Sequence, residues 1–260
     1  MRNYFRARIE QGTPTIQLGA ADAGLPERFR GRPALDTSGC DHDGCQCLTR
    51  VPSAAVKKSQ RGLPVLDVGA CLFSPEEAAA CERGALSFTR DYRMASRTRD
   101  GLVSPTGEVE LASALDRRMR SLFGRSLRLR SVVAGSCGGC EAELAALTNV
   151  VFDVARFGVQ FVASPRHADG IVITGAVSAN MRSALERTYA AVPAPRLVIA
   201  VGACAVSGGP FRGSPEVSGG VPPELPVDLW IPGCPPHPLT VLDGLLRLLG
   251  RLPRESHGTR

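Results

Sequence analysis

Cys137, Cys140, Cys204 and Cys234 are the residues of this 260-residue chain whose type and setting could carry chemistry. Each follows a short apolar run and lies in a Gly/Pro-rich turn. Leu127 to Ala134 precedes G-S-C-G-G-C, Arg196 to Gly202 precedes A-C, and Val227 to Pro232 precedes G-C-P-P-H-P. Apolar runs bounded by Gly and Pro, alternating with helical patterns, read as buried parallel strands of a βαβ architecture. Loops at the carboxyl ends of such strands share one sheet edge, so cysteines distant in sequence can converge there. Four thiolates gathered in this way are the donor set of an iron-sulfur cluster.

The local chemistry fits that reading. Gly135, Gly138, Gly139, Gly202 and Gly233 let the backbone turn sharply and come close to a bulky inorganic core. Cys140 opens an expected helix over Glu141 to Phe157, with Leu144, Leu147, Val151 and Val154 at helical spacing. The free N–H groups and positive end of a helix N-terminus favour thiolate or sulfide sulfur. After Cys234, Pro235, Pro236 and Pro238 lead into a second expected helix, Leu239 to Leu249. Two rival readings remain at this point. The cysteines could be separate small apolar residues of a core. They could also hold zinc, although a second close C-x2-C or H-x3-H pair is missing.

The elements that must position these residues need a sizeable core, and 260 residues supply one large domain or two modest ones. No run reaches the roughly 18 apolar residues of a membrane helix. The start MRNYFRARIEQG has no apolar signal region, so a cytoplasmic chain is expected. Nine cysteines then point to metal ligation rather than disulfides. Residues 1 to 130 hold all of the +6 charge, 21 Lys and Arg against 15 Asp and Glu. The basic residues are mixed with acidic ones and lack aromatic platforms, which argues against nucleic acid and for a protein docking surface. There is no G-x-G-x-x-G after a strand and no G-K-[ST], so no nucleotide loop is read.

Residues from Arg130 to about Gly250 resemble the small-subunit family shared by the 20-kDa iron-sulfur subunit of respiratory complex I and by membrane-bound, energy-converting [NiFe] hydrogenases, including formate hydrogenlyase. The matching segments are GSCGGCEAELAALTN, RFGVQFVASPRHADGIVITGAVSANM, VIAVGACAVSGG and IPGCPPHP. The C-x2-C of Cys137 and Cys140 looks like the hydrogenase branch, because the complex I branch typically has adjacent cysteines. The resemblance implies one 4Fe-4S cluster on Cys137, Cys140, Cys204 and Cys234, a large catalytic partner subunit, and membrane subunits of the same complex. It implies peripheral attachment on the inner face of the plasma membrane, with quinone binding among the properties of the wider family. It also implies a proton-linked role for Glu141 and Glu143, against which stands plain stabilisation of a helix start. Arg166, His167 and Asp169 would form a subunit-facing loop near the cluster, and His237 a packing or supporting contact.

Residues from about Arg6 to Val103 resemble the two-cluster ferredoxin-type subunit of the same complexes, in LPERFRGRPALD, GCDHDGCQCLTRVPSAAV and GACLFSPEEAAACERGALSFTRDYRMASRTRDGLV. Against the motif C-x2-C-x2-C-x3-C-P, Cys71 and Cys81 keep the first and fourth positions of the second run, and Ser74 and Glu77 replace the second and third. In the first run Cys47 fits, Val51 replaces the fourth cysteine, and Cys40 and Cys45 are out of register. Crossed ligation leaves Cys40, Cys45, Cys47 and Cys81 as candidates for a second cluster and Cys40, His42, Cys45 and Cys47 as a crowded zinc site. An empty shell kept for its contacts is the simpler expectation.

The expected fold is α/β: a flavodoxin-like parallel sheet with helices on both faces, preceded by a small degenerate ferredoxin-like module. The expected divisions are 1–103 for the module and its N-terminal arm, 104–129 for a linker helix carrying Leu111, Leu115, Met119 and Leu122, 130–252 for the iron-sulfur domain, and 253–260 for a tail. The expected function is a non-catalytic redox subunit that relays electrons to or from a large catalytic subunit. A structural bridging subunit and a zinc-stabilised regulatory protein are the alternatives.

Overall fold

The computed structural model describes residues 2–12, 14–16, 18, 24–38, 50–51, 53–59 and 62–252. In chain order its elements begin with α1 (Arg2–Gln11), β1 (Pro33–Leu35), β2 (Val56–Lys58), β3 (Pro64–Asp67), α2 (Pro75–Ala79), β4 (Leu86–Phe88), β5 (Val103–Ser104) and α3 (Arg117–Phe123). There follow β6 (Leu127–Val133), α4 (Gly139–Ala146), β7 (Val159–Phe161), β8 (Gly170–Thr174), α5 (Ala179–Ala191), β9 (Leu197–Val201), α6 (Ala203–Ser207), β10 (Leu229–Ile231) and α7 (Pro238–Leu248).

Strands β6 to β10 form one sheet in the order β10-β9-β8-β6-β7, every pair parallel. Counted from β6 this is the order 2-1-3-4-5, the doubly wound flavodoxin-like arrangement. The central strands read Gly-Ile-Val-Ile-Thr and Leu-Val-Ile-Ala-Val and are buried throughout, as a parallel sheet covered on both faces requires. Side chains alternate between the faces. Leu197, Ile199 and Val201 join Leu144 of α4, Leu147 just after it, and Val241, Leu242 and Leu245 of α7 on one face. Ile171, Ile173 and Val198 meet Leu185 of α5 on the other.

The first hundred residues form small antiparallel pieces, β1 with β4 and β2-β3-β5. They share a core with the sheet domain, in which Leu66, Val68, Cys71 and Leu102 pack with Ala200, Ala205 and Val206. Ser96 and Trp230 exchange backbone hydrogen bonds at 3.0 and 2.8 Å, so this region covers the β10 edge of the sheet and protects an otherwise open ladder.

Two helices are shorter than their apolar spacing suggests. In the segment with Leu111 and Leu115, the helix starts only at Arg117, where Asp116 caps it by accepting from Met119 N–H at 2.8 Å. Upstream, Ala112 and Leu115 instead donate backbone N–H groups to Ala95 and Leu248. The helix after Cys140 ends at Ala146, because the Asn149 side chain accepts from Val151 and Phe152 N–H and turns the chain. A 3-10 turn, Val154–Phe157, follows.

Candidate metal centre

Cys137 lies in the loop after β6, Cys140 in the first turn of α4, Cys204 in α6 directly after β9, and Cys234 in the loop after β10. All four therefore sit at the carboxyl edge of one parallel sheet. Cys140 and Cys204 are buried, Cys234 is half-buried and Cys137 is exposed. The loops are tied together: Gly202 N–H donates to Ile231 O at 2.9 Å and Ala203 N–H to Gly233 O at 2.8 Å. At Gly202 the backbone has φ +89°, and a Cβ there would stand 2.5 Å from Cys140 Sγ. Only glycine allows this approach. Gly209 makes a similar gap for Cys204, whose Sγ would lie 2.9 Å from an added Cβ.

Three of the four thiols are shifted upwards. Burial, then the charges of Glu141, Cys204, Cys234 and Cys137, push the Cys140 thiol far above its ordinary value. The Cys204 thiol is pushed up to about 11 by burial first, then by Cys234, Cys137 and Glu141. Burial, followed by Cys137 and Glu77, raises Cys234. Among the described residues, no three His, Cys, Asp or Glu side chains close around a single ion.

Glu141 follows Cys140 and points across the sheet edge. One of its oxygens accepts from Ser136 Oγ at 2.8 Å and from Thr174 Oγ1, while the other is buried and has no partner among the described residues. Burial raises the Glu143 carboxyl. Glu143 lines a cavity of about 210 Å³ beside Cys234, together with Arg28, Arg30, Phe73 and His237. His237 is the N-cap of α7, its Nδ1 accepting from Leu239 N–H at 3.2 Å. Its ring stands edge-on to Phe29 and Phe152 at 5.3 and 5.8 Å, and burial lowers its pKa.

Arg166, His167 and Asp169 do not belong with this group. They precede β8, whose carboxyl end is Thr174, and so occupy the opposite edge of the sheet. There Asp169 accepts from Arg128 N–H at 2.7 Å. Cys40, His42, Cys45 and Cys47 lie outside the described residues. Cys81 is a buried core residue whose Sγ accepts from Ala85 N–H at 3.2 Å. Val51 packs in the same core. Sequence spacing marks Glu77 only as a lost ligand, yet this fully buried carboxylate is a hub of hydrogen bonds. Its position three residues after the N-cap Ser74 is the signal that could have found it.

A family model described as NADH ubiquinone oxidoreductase, 20 Kd subunit, matches residues 137–248, a span that contains all four cysteines. The probable membrane-bound hydrogenase subunit mbhJ of Pyrococcus furiosus is 38% identical over 147 residues, covering 55% of this chain and 88% of that protein. The chain belongs to the 20-kDa subunit family of NADH ubiquinone oxidoreductase. Other members of the family are similar over shorter shares of their length. Formate hydrogenlyase subunit 7 of Escherichia coli is 39% identical over 161 residues, 62% of this chain and 63% of the relative. An NADH-quinone oxidoreductase subunit from Heliobacterium modesticaldum is 45% identical over 114 residues, 44% of this chain and 65% of the relative. The chain thus spans less than two thirds of either of these two relatives. No helix among the described residues is long and apolar enough to cross a membrane.

Proposed function

We propose that this chain is an electron-transfer subunit of a multi-subunit, membrane-associated oxidoreductase, with Cys137, Cys140, Cys204 and Cys234 as the ligands of one 4Fe-4S cluster. What carries the reading is the placement of four cysteines, from segments after three different strands, at the carboxyl edge of one parallel sheet. The residues fit the group. Zinc would draw its sulfurs to about 2.3 Å from one point. Gly202 and Gly209 keep side chains clear of Cys140 and Cys204, as a bulky inorganic core requires. When bound, such a cluster supplies one-electron reduction and reoxidation.

The chain's own part is to donate four sulfurs, hold them still and control their surroundings. Burial, then nearby charge, keeps protons on the free thiols of Cys140, Cys204 and Cys234, so their ligation releases protons and is favoured by cationic iron. The free N–H groups at the start of α4, where Cys140 lies, would favour negatively charged sulfur. Glu141, fixed by Ser136 and Thr174, and Glu143, at the cavity, are the groups through which protons would pass to and from this edge. The subunit would dock on a large catalytic subunit and on membrane subunits and make or break no substrate bonds itself. The C-x2-C spacing favours a hydrogenase-type complex. Residues 1–103, read as a reduced ferredoxin-type module, would serve mainly through contacts such as their cover of the β10 edge.

The test is the reduced-state EPR signal of anaerobically purified protein. The wild type gives a cluster signal, and Cys137→Ala abolishes it. A folded wild-type chain without that signal and without iron sinks the reading.

A further inference from the structure

Glu77 is fully buried, and no ion pair among the described residues includes it. Its carboxylate is instead surrounded by donors. Leu72 N–H lies 3.0 and 3.1 Å from its two oxygens, Ser74 N–H donates at 3.2 Å, and Cys71 S–H donates at 3.0 Å. Ser53 Oγ–H makes a further contact. This is the set that an ionised, acceptor-only carboxylate requires. A neutral amide would meet two of these donors with a donor of its own.

The segment that cradles Glu77 leans on the cysteine site. Cys71 packs with Ala205 and Val206, which directly follow Cys204. Gly69 fits so closely that an added Cβ would lie 2.6 Å from Val206 Cγ1. Phe73 shares the wall of the 210 Å³ cavity with Gly233 and Cys234. Leu72 and Ser74, whose N–H groups hold Glu77, flank Phe73, so the carboxylate is anchored directly behind the wall that faces Cys234. A buried negative charge without an ion-pair partner opposes a second negative charge placed nearby.

We propose that Glu77 is a positioning residue of the cysteine site, a fixed buried negative charge behind Cys234 that lowers the reduction potential of the iron-sulfur group held there. The donors from Leu72, Ser74, Ser53 and Cys71 keep the carboxylate in place and moderate its field. This role rests on the cluster reading above. In it, two positions of the former ferredoxin motif, Cys71 and Glu77, have become an electrostatic support for the neighbouring site.

The experiment is an EPR-monitored redox titration of the anaerobically purified full chain, with iron content and thermal unfolding measured on the same samples. In Glu77→Gln the iron stays bound and the midpoint moves to a more positive potential. The reduction equilibrium shifts about tenfold, which is about 59 mV for one electron. Cys71→Ala keeps the carboxylate and removes one donor, so its midpoint moves the opposite way, and this variant alone decides the matter if Glu77→Gln does not fold. An iron-loaded Glu77→Gln with the wild-type potential overturns the proposal and leaves the cluster reading intact. So does Cys71→Ala with an unchanged or more positive potential. Wild-type protein without iron removes the cluster reading itself, and the role of Glu77 with it.

Discussion

Gly202 carries a steric condition set directly by one of the four cysteines. Its φ of +89° and the 2.5 Å that would separate an added Cβ from Cys140 Sγ are both tolerable only without a side chain. Gly202→Ala should therefore destabilise the fold by about 1–3 kcal/mol from backbone strain alone. It should also displace Cys140 or the β9 loop, so that the purified variant binds less iron than wild type. Denaturant unfolding and iron analysis of the same preparation check both effects. The cysteines and this glycine are legible in the sequence because their types are unusual after apolar runs. Glu77 is legible only as a helix-start residue three positions after Ser74, because its other partners include Ser53, 24 residues away. The placement of Arg166, His167 and Asp169 near the cluster fails for a related reason. Nearness in a motif string does not say which end of a strand a loop occupies, and β8 sets that loop apart from Cys204 and Cys234.

At the scale of elements, β6, β9 and β10 can be read as apolar runs, and the sheet delivers their cysteine loops to one edge. The helices are less legible. Apolar spacing over Leu111 to Leu122 predicts a helix throughout, but Asp116 caps its start and the upstream residues pair with Ala95 and Leu248 instead. Such pairing is tertiary and leaves no local trace. In the first hundred residues, Asp67 of β3 joins β2 and the following 3-10 turn, Asp100–Leu102. It accepts from Lys57 Nζ at 2.7 Å and from Arg99 at 2.8 Å. Burial works to raise its pKa, but the hydrogen bonds and charges of Arg99 and Lys57 outweigh it and hold the carboxyl below its ordinary value. A carboxyl lowered in the folded state adds stability above the unfolded value of about 3.9, and that stability is lost as pH falls through the folded value. Asp67→Asn should cost about 2 kcal/mol at neutral pH, reduced from the fully buried case by the exposure of Lys57. The gap between variant and wild type should close below about pH 4. Thermal unfolding across pH measures it, and a gap independent of pH would refute the assignment.

For the whole molecule, the two halves meet in a shared core and across the β10 edge. The central claim is that four particular cysteines, and not the others, hold iron. Iron and acid-labile sulfide per chain should be measured in anaerobically purified wild type, Cys204→Ala and Cys81→Ala. The account predicts about four irons per chain in wild type and in Cys81→Ala, and loss of that iron in Cys204→Ala. Full iron in Cys204→Ala, or zinc in place of iron in wild type, would contradict it.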